Sequence, residues 1–263
     1  MKLSIWQVDA FSGRRFAGNP AAVVPLEAWL ADEVLLAIAA ENNLSETAYV
    51  VRDGAEYQIR WFTPIEEVPL CGHATLASAW VVFHRLEPER TRVVFRSKSG
   101  DLPVERAGER LVLDFPANTL EPAPATGGAE LVAALGRTPR ELYSGWQWLA
   151  LYDSEAQVRA LRPDMASLVA TGVHGVIVTA PGRDCDFVSR FFAPAAGVPE
   201  DPVTGSSHTR LVPYWAAKLG KTAFFARQVS ARGGELWCEL SKDKSRVSIA
   251  GQAALFLEGI IDI

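Results

Sequence analysis

Arg60-Trp61-Phe62-Thr63-Pro64-Ile65-Glu66-Glu67-Val68-Pro69 returns 130 residues later as Arg190-Phe191-Phe192-Ala193-Pro194-Ala195-Ala196-Gly197-Val198-Pro199. In a chain of 263 residues that interval reads as a duplication. Each copy runs on into a glycine, small polar residues and a long apolar stretch: Cys71-Gly72-His73-Ala74-Thr75 in the first, Thr204-Gly205-Ser206-Ser207-His208 in the second. A glycine turn that opens a helix aims backbone N–H groups and the positive end of the helix dipole at one spot. Two such ends facing each other across a pseudo-twofold cleft predict a small anionic metabolite as the ligand.

The pattern around these segments predicts an α+β fold. In the first half, short strand-like runs at Ser4 to Phe11, Ala21 to Val24, Thr47 to Val51, Tyr57 to Phe62, Val93 to Ser97 and Leu111 to Phe115 are punctuated by Gly, Pro and Asn. Asp32 to Asn42 carries Val34, Leu35, Ile38 and Ala39 at helical spacing and stops at Asn42-Asn43. Ala74 to Leu86 is apolar nearly all round, and a helix without a polar face must be buried, so it belongs inside a curled sheet. The second half repeats the plan, with a helix near Glu130 to Leu135, strands near Trp148 to Tyr152, Gly175 to Thr179 and Asp186 to Phe192, and a buried helix from Ser206 to Leu219. Strands at Phe224 to Gln228, Leu236 to Leu240 and Arg246 to Ile249 close it. The Pro-, Ala- and Gly-rich stretch Pro116 to Gly128 reads as the linker, and Leu255 to Ile263 as a last strand returning to the first half. The expected domains are residues 1–117, joined by 255–263, and residues 118–254.

Composition narrows the partners. A net charge of −5 and a pI near 5.5 supply no basic field for a phosphate backbone, which argues against nucleic acid. The N-terminal Met1 to Asp9 lacks the apolar core of a secretory signal, and no stretch reaches the roughly 18 apolar residues of a membrane span, so a cytoplasmic protein is expected. Cys71, Cys185 and Cys238 are widely spaced and form no C-x-x-C pair, which fits a reducing compartment without disulfides. His73, His84, His174 and His208 form no metal-ligating pattern, so no metal is expected, and phosphate-cradling glycine motifs are missing, so nucleotide cofactors lose their usual entry point.

Among candidate site residues, Gly72 and Gly205 come first because each opens a buried helix. Glu46 follows Asn42-Asn43-Leu44-Ser45 and enters an apolar strand, where partial desolvation suits it to carry a proton near neutrality. Local sequence alone does not separate it from Glu41. Asp201, just before the second helix, either orients an imidazole or caps the turn. His73 sits at a positive helix end, which disfavours the imidazolium unless a carboxylate such as Asp201 restores it. The Trp146-Gln147-Trp148 stretch reads as strand packing.

At these residues the chain resembles the PhzF family of phenazine-biosynthesis-like proteins, which are similar in fold to diaminopimelate epimerase. The matching stretches are Phe16 to Val24, Asn43-Leu44-Ser45-Glu46-Thr47, Leu70 to Ala77 and Glu200-Asp201-Pro202-Val203-Thr204-Gly205-Ser206, with Val247 to Gly251 at the C-terminal end. The resemblance implies two pseudo-symmetric domains, each a barrel-like curled β-sheet around a central α-helix, an active site between them, no cofactor, and a homodimer. It implies Glu46 as the proton-transferring acid/base, with His73, Asp201 and Ser206 assisting, and Asn19, Ser45, Cys71, Gly72, Thr204 and Gly205 in substrate binding. Epimerases of this fold use opposed cysteines, but here Thr204 stands where the second thiol belongs, and a hydroxyl cannot carry a proton at neutral pH as a thiol can. The expected activity is a cofactor-independent isomerisation by proton transfer between carbons of a small carboxylate. The alternatives are a non-catalytic binding protein that keeps the cleft, and an epimerase using Cys71 as one base.

Overall fold

Both copies of the repeated segment are strands, and in each the arginine is gripped by a downstream glutamate. In the computed structural model, which describes residues 1–123 and 125–263, Arg60 Nε and Nη2 donate to the Glu67 carboxylate at 2.9 and 2.7 Å. Arg190 makes the same two-point contact with Glu200 at 2.7 and 2.9 Å.

The chain runs β1 (Lys2–Ala10), β2 (Asn19–Leu26), α1 (Asp32–Asn42), β3 (Glu46–Asp53), β4 (Glu56–Phe62), β5 (Glu67–Val68), α2 (Gly72–Val81) with a π-helical extension Val82–Leu86, β6 (Arg92–Ser97), β7 (Gly100–Ala107) and β8 (Arg110–Pro116). It continues with β9 (Glu121–Pro122), α3 (Ala125–Leu135), β10 (Glu141–Ser144), β11 (Gln147–Leu151), α4 (Glu155–Ala160), α5 (Met165–Ala170), β12 (Gly175–Pro181), β13 (Phe187–Ala193), β14 (Val198–Asp201) and α6 (Gly205–Leu219). β15 (Ala223–Gln228), β16 (Gly234–Leu240), β17 (Arg246–Gly251) and β18 (Ala253–Asp262) complete it. Contacts divide the chain into two compact units, Met1–Phe115 with Ser248–Ile263, and Pro116–Val247.

In the first unit the strands pair in the order β18-β1-β2-β3-β4-β6-β7-β8, antiparallel except for β2–β3 and β4–β6. α2 packs against β1, β2, β3 and β18, and His73 through Ala79 are all buried. A helix with no polar face is stable only where the sheet curls round it, and filling that space with Leu76, fully out of water, contributes roughly 1.5–3 kcal/mol. α1 covers the sheet's other face through Leu35, Ile38 and Ala39 over Val24, Tyr49 and Phe62. It ends as the Asn42-Asn43 pair predicts: Asn43 takes the left-handed conformation at φ 49° and its N–H closes on Ala39 O.

The second unit repeats the scheme. β11 and β12 are parallel like β2 and β3, and β13 and β15 are parallel like β4 and β6, with Tyr57 opposite Phe95 in one and Phe187 opposite Ala226 in the other. Here α3, α4 and α5 cover the outer face, burying Leu131, Leu135, Val158 and Leu168 against β12 and β13. α6 continues past Pro213 to Leu219. The stretch read as a linker, Pro116 to Gly128, starts where the second unit starts and contains β9 and the start of α3, and Pro124 within it lies outside the described residues. Among the described residues no helix is long and apolar enough to cross a membrane.

Candidate active site

The first turn of α2 gathers most of the chemistry of the first unit. Cys71 is its N-cap and His73 its second residue, while β3 opens with Glu46 and β2 with Asn19. Parallel pairing of Ala21 with Glu46 brings the starts of β2 and β3 to the same sheet edge. There His73 Nε2 stands 3.2 Å from Glu46 Oε2, with the histidine side chain 5% and the glutamate 16% exposed. Neither atom has a hydrogen-bond partner elsewhere among the described residues. On the other ring nitrogen, Asn19 Nδ2 lies 3.1 Å and Cys71 Sγ 3.4 Å from Nδ1. With the amide nitrogen and the S–H both on that side, the neutral ring carries its proton on Nε2, toward Glu46.

Cys71 and Glu46 set the charge of this cluster. Burial disfavours the imidazolium, yet Cys71 first and Glu46 second, by charge and by hydrogen bond, outweigh it and hold His73 well above its ordinary value. Burial and the Glu46 charge push the Cys71 thiol up to about 11, with His73 opposing. Glu46 is a carboxylate of the same unit that supports the charge on His73. His208 behaves oppositely: fully buried, it is pushed down to about 4, with only the Thr204 carbonyl opposing.

Imidazole NMR titration is expected to show His73 protonated well above pH 6.5 and His208 neutral down to about 4. The stability signs differ. His73, raised on folding, contributes fully below about 6.5 and loses that contribution as pH rises through its folded value. His208, depressed on folding, leaves the folded state progressively disfavoured as pH drops from about 6.5 toward 4. Titration of His73 at or below 6.5 would contradict this arrangement.

One atom from each of Glu46, Cys71 and His73 lies within 4.8 Å of the others, close enough by distance to hold a metal. The sequence spacing gives no hint of that cluster. Its geometry is unfavourable, because Glu46 and Cys71 flank opposite ring nitrogens whose lone pairs diverge, and an ion on either nitrogen leaves one neighbour out of line.

In the second unit, α6 begins after Thr204 as α2 begins after Cys71, and neither start is capped by a side-chain hydrogen bond. Thr204 Oγ1 donates to Asp201 Oδ2, and Gln228 braces the same turn: its Oε1 accepts from Thr204 N at 2.9 Å while its Nε2 donates to Asp201 O at 2.7 Å. Asp201 thus fastens the turn. Ser206 Oγ accepts from Gln147 Nε2 at 3.3 Å. The side chains four residues beyond each N-cap match too: Thr75 Oγ1 donates to Cys71 O, and His208 Nδ1 to Thr204 O at 2.9 Å.

The two halves part at the acid. Thr47 pairs with Phe62 and Val176 with Phe192, so the place of Glu46 is taken in the second unit by Gly175. A Cβ at Gly175 would lie 2.5 Å from the Phe191 ring, which leaves no room there for a second carboxylate.

Of the site residues expected from sequence, Asn19, Glu46, Cys71, Gly72 and His73 meet in the first unit, and Asp201, Thr204, Gly205 and Ser206 in the second. Asn19 is fully buried, with its Nδ2 3.1 Å from His73 Nδ1. Ser45 occupies the partly exposed bend ahead of Glu46. Gln228 and Arg210, which join the second helix start, carry no local sequence signal, because their partners Thr204 and Gln147 lie 24 and 63 residues away.

A curled sheet round a buried helix, built twice with a glycine-opened helix each time, defines the α+β, diaminopimelate epimerase-like class. A hydroxyproline epimerase from Agrobacterium vitis shares this fold, with a TM-score of 0.64 over 99% of this chain and 92% of that one at 11% identity. The chain belongs to the phenazine biosynthesis-like (PhzC-PhzF) family, whose model matches residues 8–259. A PhzF-family protein from Enterococcus faecalis superposes with a TM-score of 0.95, covering all of both chains at 45% identity. A Pseudomonas aeruginosa protein named an uncharacterized isomerase is 56% identical over 262 residues, 99% of each chain.

Proposed function

We propose that this chain is a cofactor-independent isomerase that moves a proton between carbons of a small carboxylate-bearing metabolite. The Glu46–His73 pair at the start of α2 carries the reading. Glu46 takes a proton from a carbon made acidic by conjugation or by an adjacent carboxylate; the C–H pair of electrons passes into the conjugated system, and the glutamic acid then returns the proton to another carbon. One C–H bond breaks and one forms, with no oxidation. His73 aligns the Glu46 carboxylate through Nε2, and the Gly72 turn offers backbone N–H groups to the developing enolate-like charge, an effect worth about 3–4 kcal/mol per donor in such sites. Asn19 positions the imidazole. In the second unit, Gly205 and Ser206 are proposed to bind an anionic group of the substrate on a turn that Asp201 and Thr204 hold rigid.

The absence of a counterpart to Glu46 at Gly175, and a thiol at Cys71 that burial keeps neutral, favour one carboxylate over opposed bases. Similarity to proteins named isomerases supports the reaction class. The test is a screen of unsaturated small carboxylates in heavy water, followed by NMR. A true substrate gains deuterium at carbon, or shows migration of its own hydrogen. Turnover with neither sinks the proposal.

A further inference from the structure

Among the described residues, Arg210 is a charged side chain without a counter-charge. It lies one helical turn beyond Ser206 on α6, and helical side chains lean toward the N-terminus, so its guanidinium reaches back toward the helix start. Its Nη1 donates to Gln147 Oε1 at 3.3 Å, and the same amide donates from Nε2 to Ser206 Oγ at 3.3 Å. Gln147, 2% exposed, ties the arginine to the serine. Arg210 Nε is shielded from water and has no hydrogen-bond partner. Among the described residues no carboxylate pairs with this guanidinium, and burial alone lowers it from its ordinary value.

The other sheltered arginines differ. Arg60 and Arg190, with 17% and 9% side-chain exposure, each hold a glutamate at two points, and Arg90 pairs with Glu56 and Glu87. Holding a partly buried guanidinium without an anion costs free energy that a neutral side chain would avoid. A planar fork with Nε and Nη2 left over matches a carboxylate bidentately.

Resting on the proposed anion-binding role of the Gly205–Ser206 helix start, we infer that Arg210 anchors a second carboxylate of the same ligand, which makes the substrate class a dicarboxylate. The helix-start amides and Ser206 hold one carboxylate; Arg210, steadied by Gln147, holds the other. Arg210 is a specificity-determining residue and takes no part in moving the proton.

Binding is measured by calorimetry and thermal shift at constant ionic strength, with succinate and glutarate against butyrate and valerate. The wild type is expected to bind the dicarboxylates about tenfold or more tightly than the monocarboxylates, as a charge-assisted bidentate pair provides. Arg210→Gln abolishes that preference while leaving monocarboxylate binding and the ligand-free melting temperature unchanged or slightly raised, and Arg210→Lys keeps part of it. Glu46→Gln retains the preference, so failure of the proton-transfer reading shows in deuterium exchange and leaves this result untouched. The inference is overturned if Arg210→Gln keeps the preference, if it weakens both classes in equal proportion, or if the wild type binds neither class or both alike.

Discussion

Glu46→Gln is expected to reduce turnover and deuterium incorporation by about 10²- to 10⁴-fold, the usual loss when a positioned acid/base is removed. Glutamine is nearly isosteric and still reaches His73, so the start of β3 and the α2 turn should survive and the melting temperature should stay close to that of the wild type. What the substitution removes is the ability to hold a proton and the negative charge 3.2 Å from the imidazole. The second loss has its own signature: without its anion, buried His73 should titrate lower, which NMR detects in the absence of any substrate. Cys71→Ala is the contrast. A thiol held up near 11 is not a base at neutral pH, so this variant should keep most of the activity, whereas an epimerase with Cys71 as one base would lose nearly all of it. Isotope exchange that survives Glu46→Gln within tenfold would remove Glu46 from the reaction.

The parts of this arrangement legible in the sequence are those that local physics dictates twice. The repeat of Arg60-Trp61-Phe62 in Arg190-Phe191-Phe192 marks β4 and β13, and the long apolar runs that follow Gly72 and Gly205 read as buried helices. Less was visible where contacts join distant residues. Glu41 and Glu46 are alike in sequence, but Glu41 is exposed on α1 whereas the β2–β3 register turns Glu46 toward His73. Asn19 and Gln147 look like strand-end amides, and only folding across 54 and 59 residues makes them partners of His73 and Ser206. α4 and α5 were missed although each carries a readable start: Ser154 Oγ accepts from Gln157 N, and Asp164 caps Ala166 and Ser167. At six residues apiece they are too short for apolar periodicity to register. β7, interrupted by Pro103, escaped because it buries only Leu102 and Val104 on one face.

Arg190→Met should lower unfolding stability by about 3 kcal/mol or more, the range for stripping one partner from a buried ion pair. Arg190 is 8% exposed and has more than Glu200 to satisfy. Its Nη1 donates to Val158 O and Leu161 O, both at 3.0 Å, which closes the C-terminal end of α4. Its guanidinium also lies 4.7 Å from the centre of the Phe192 ring. Methionine fills the volume but leaves a carboxylate and two carbonyls unanswered. Arg60→Met, at the matching position, should cost only about 1–2 kcal/mol, since its partners have other recourse. Glu67 keeps Lys98 at 2.6 Å, and Asp32 is 66% exposed and can return to water. Adding Glu200→Leu to Arg190→Met should recover part of the loss, because two apolar groups replace a broken pair with a packed one. Urea titration of the four proteins decides the matter. If Arg190→Met costs no more than Arg60→Met, the arginine of the second repeat is not the brace that its burial and five donated hydrogen-bond and ring contacts make it.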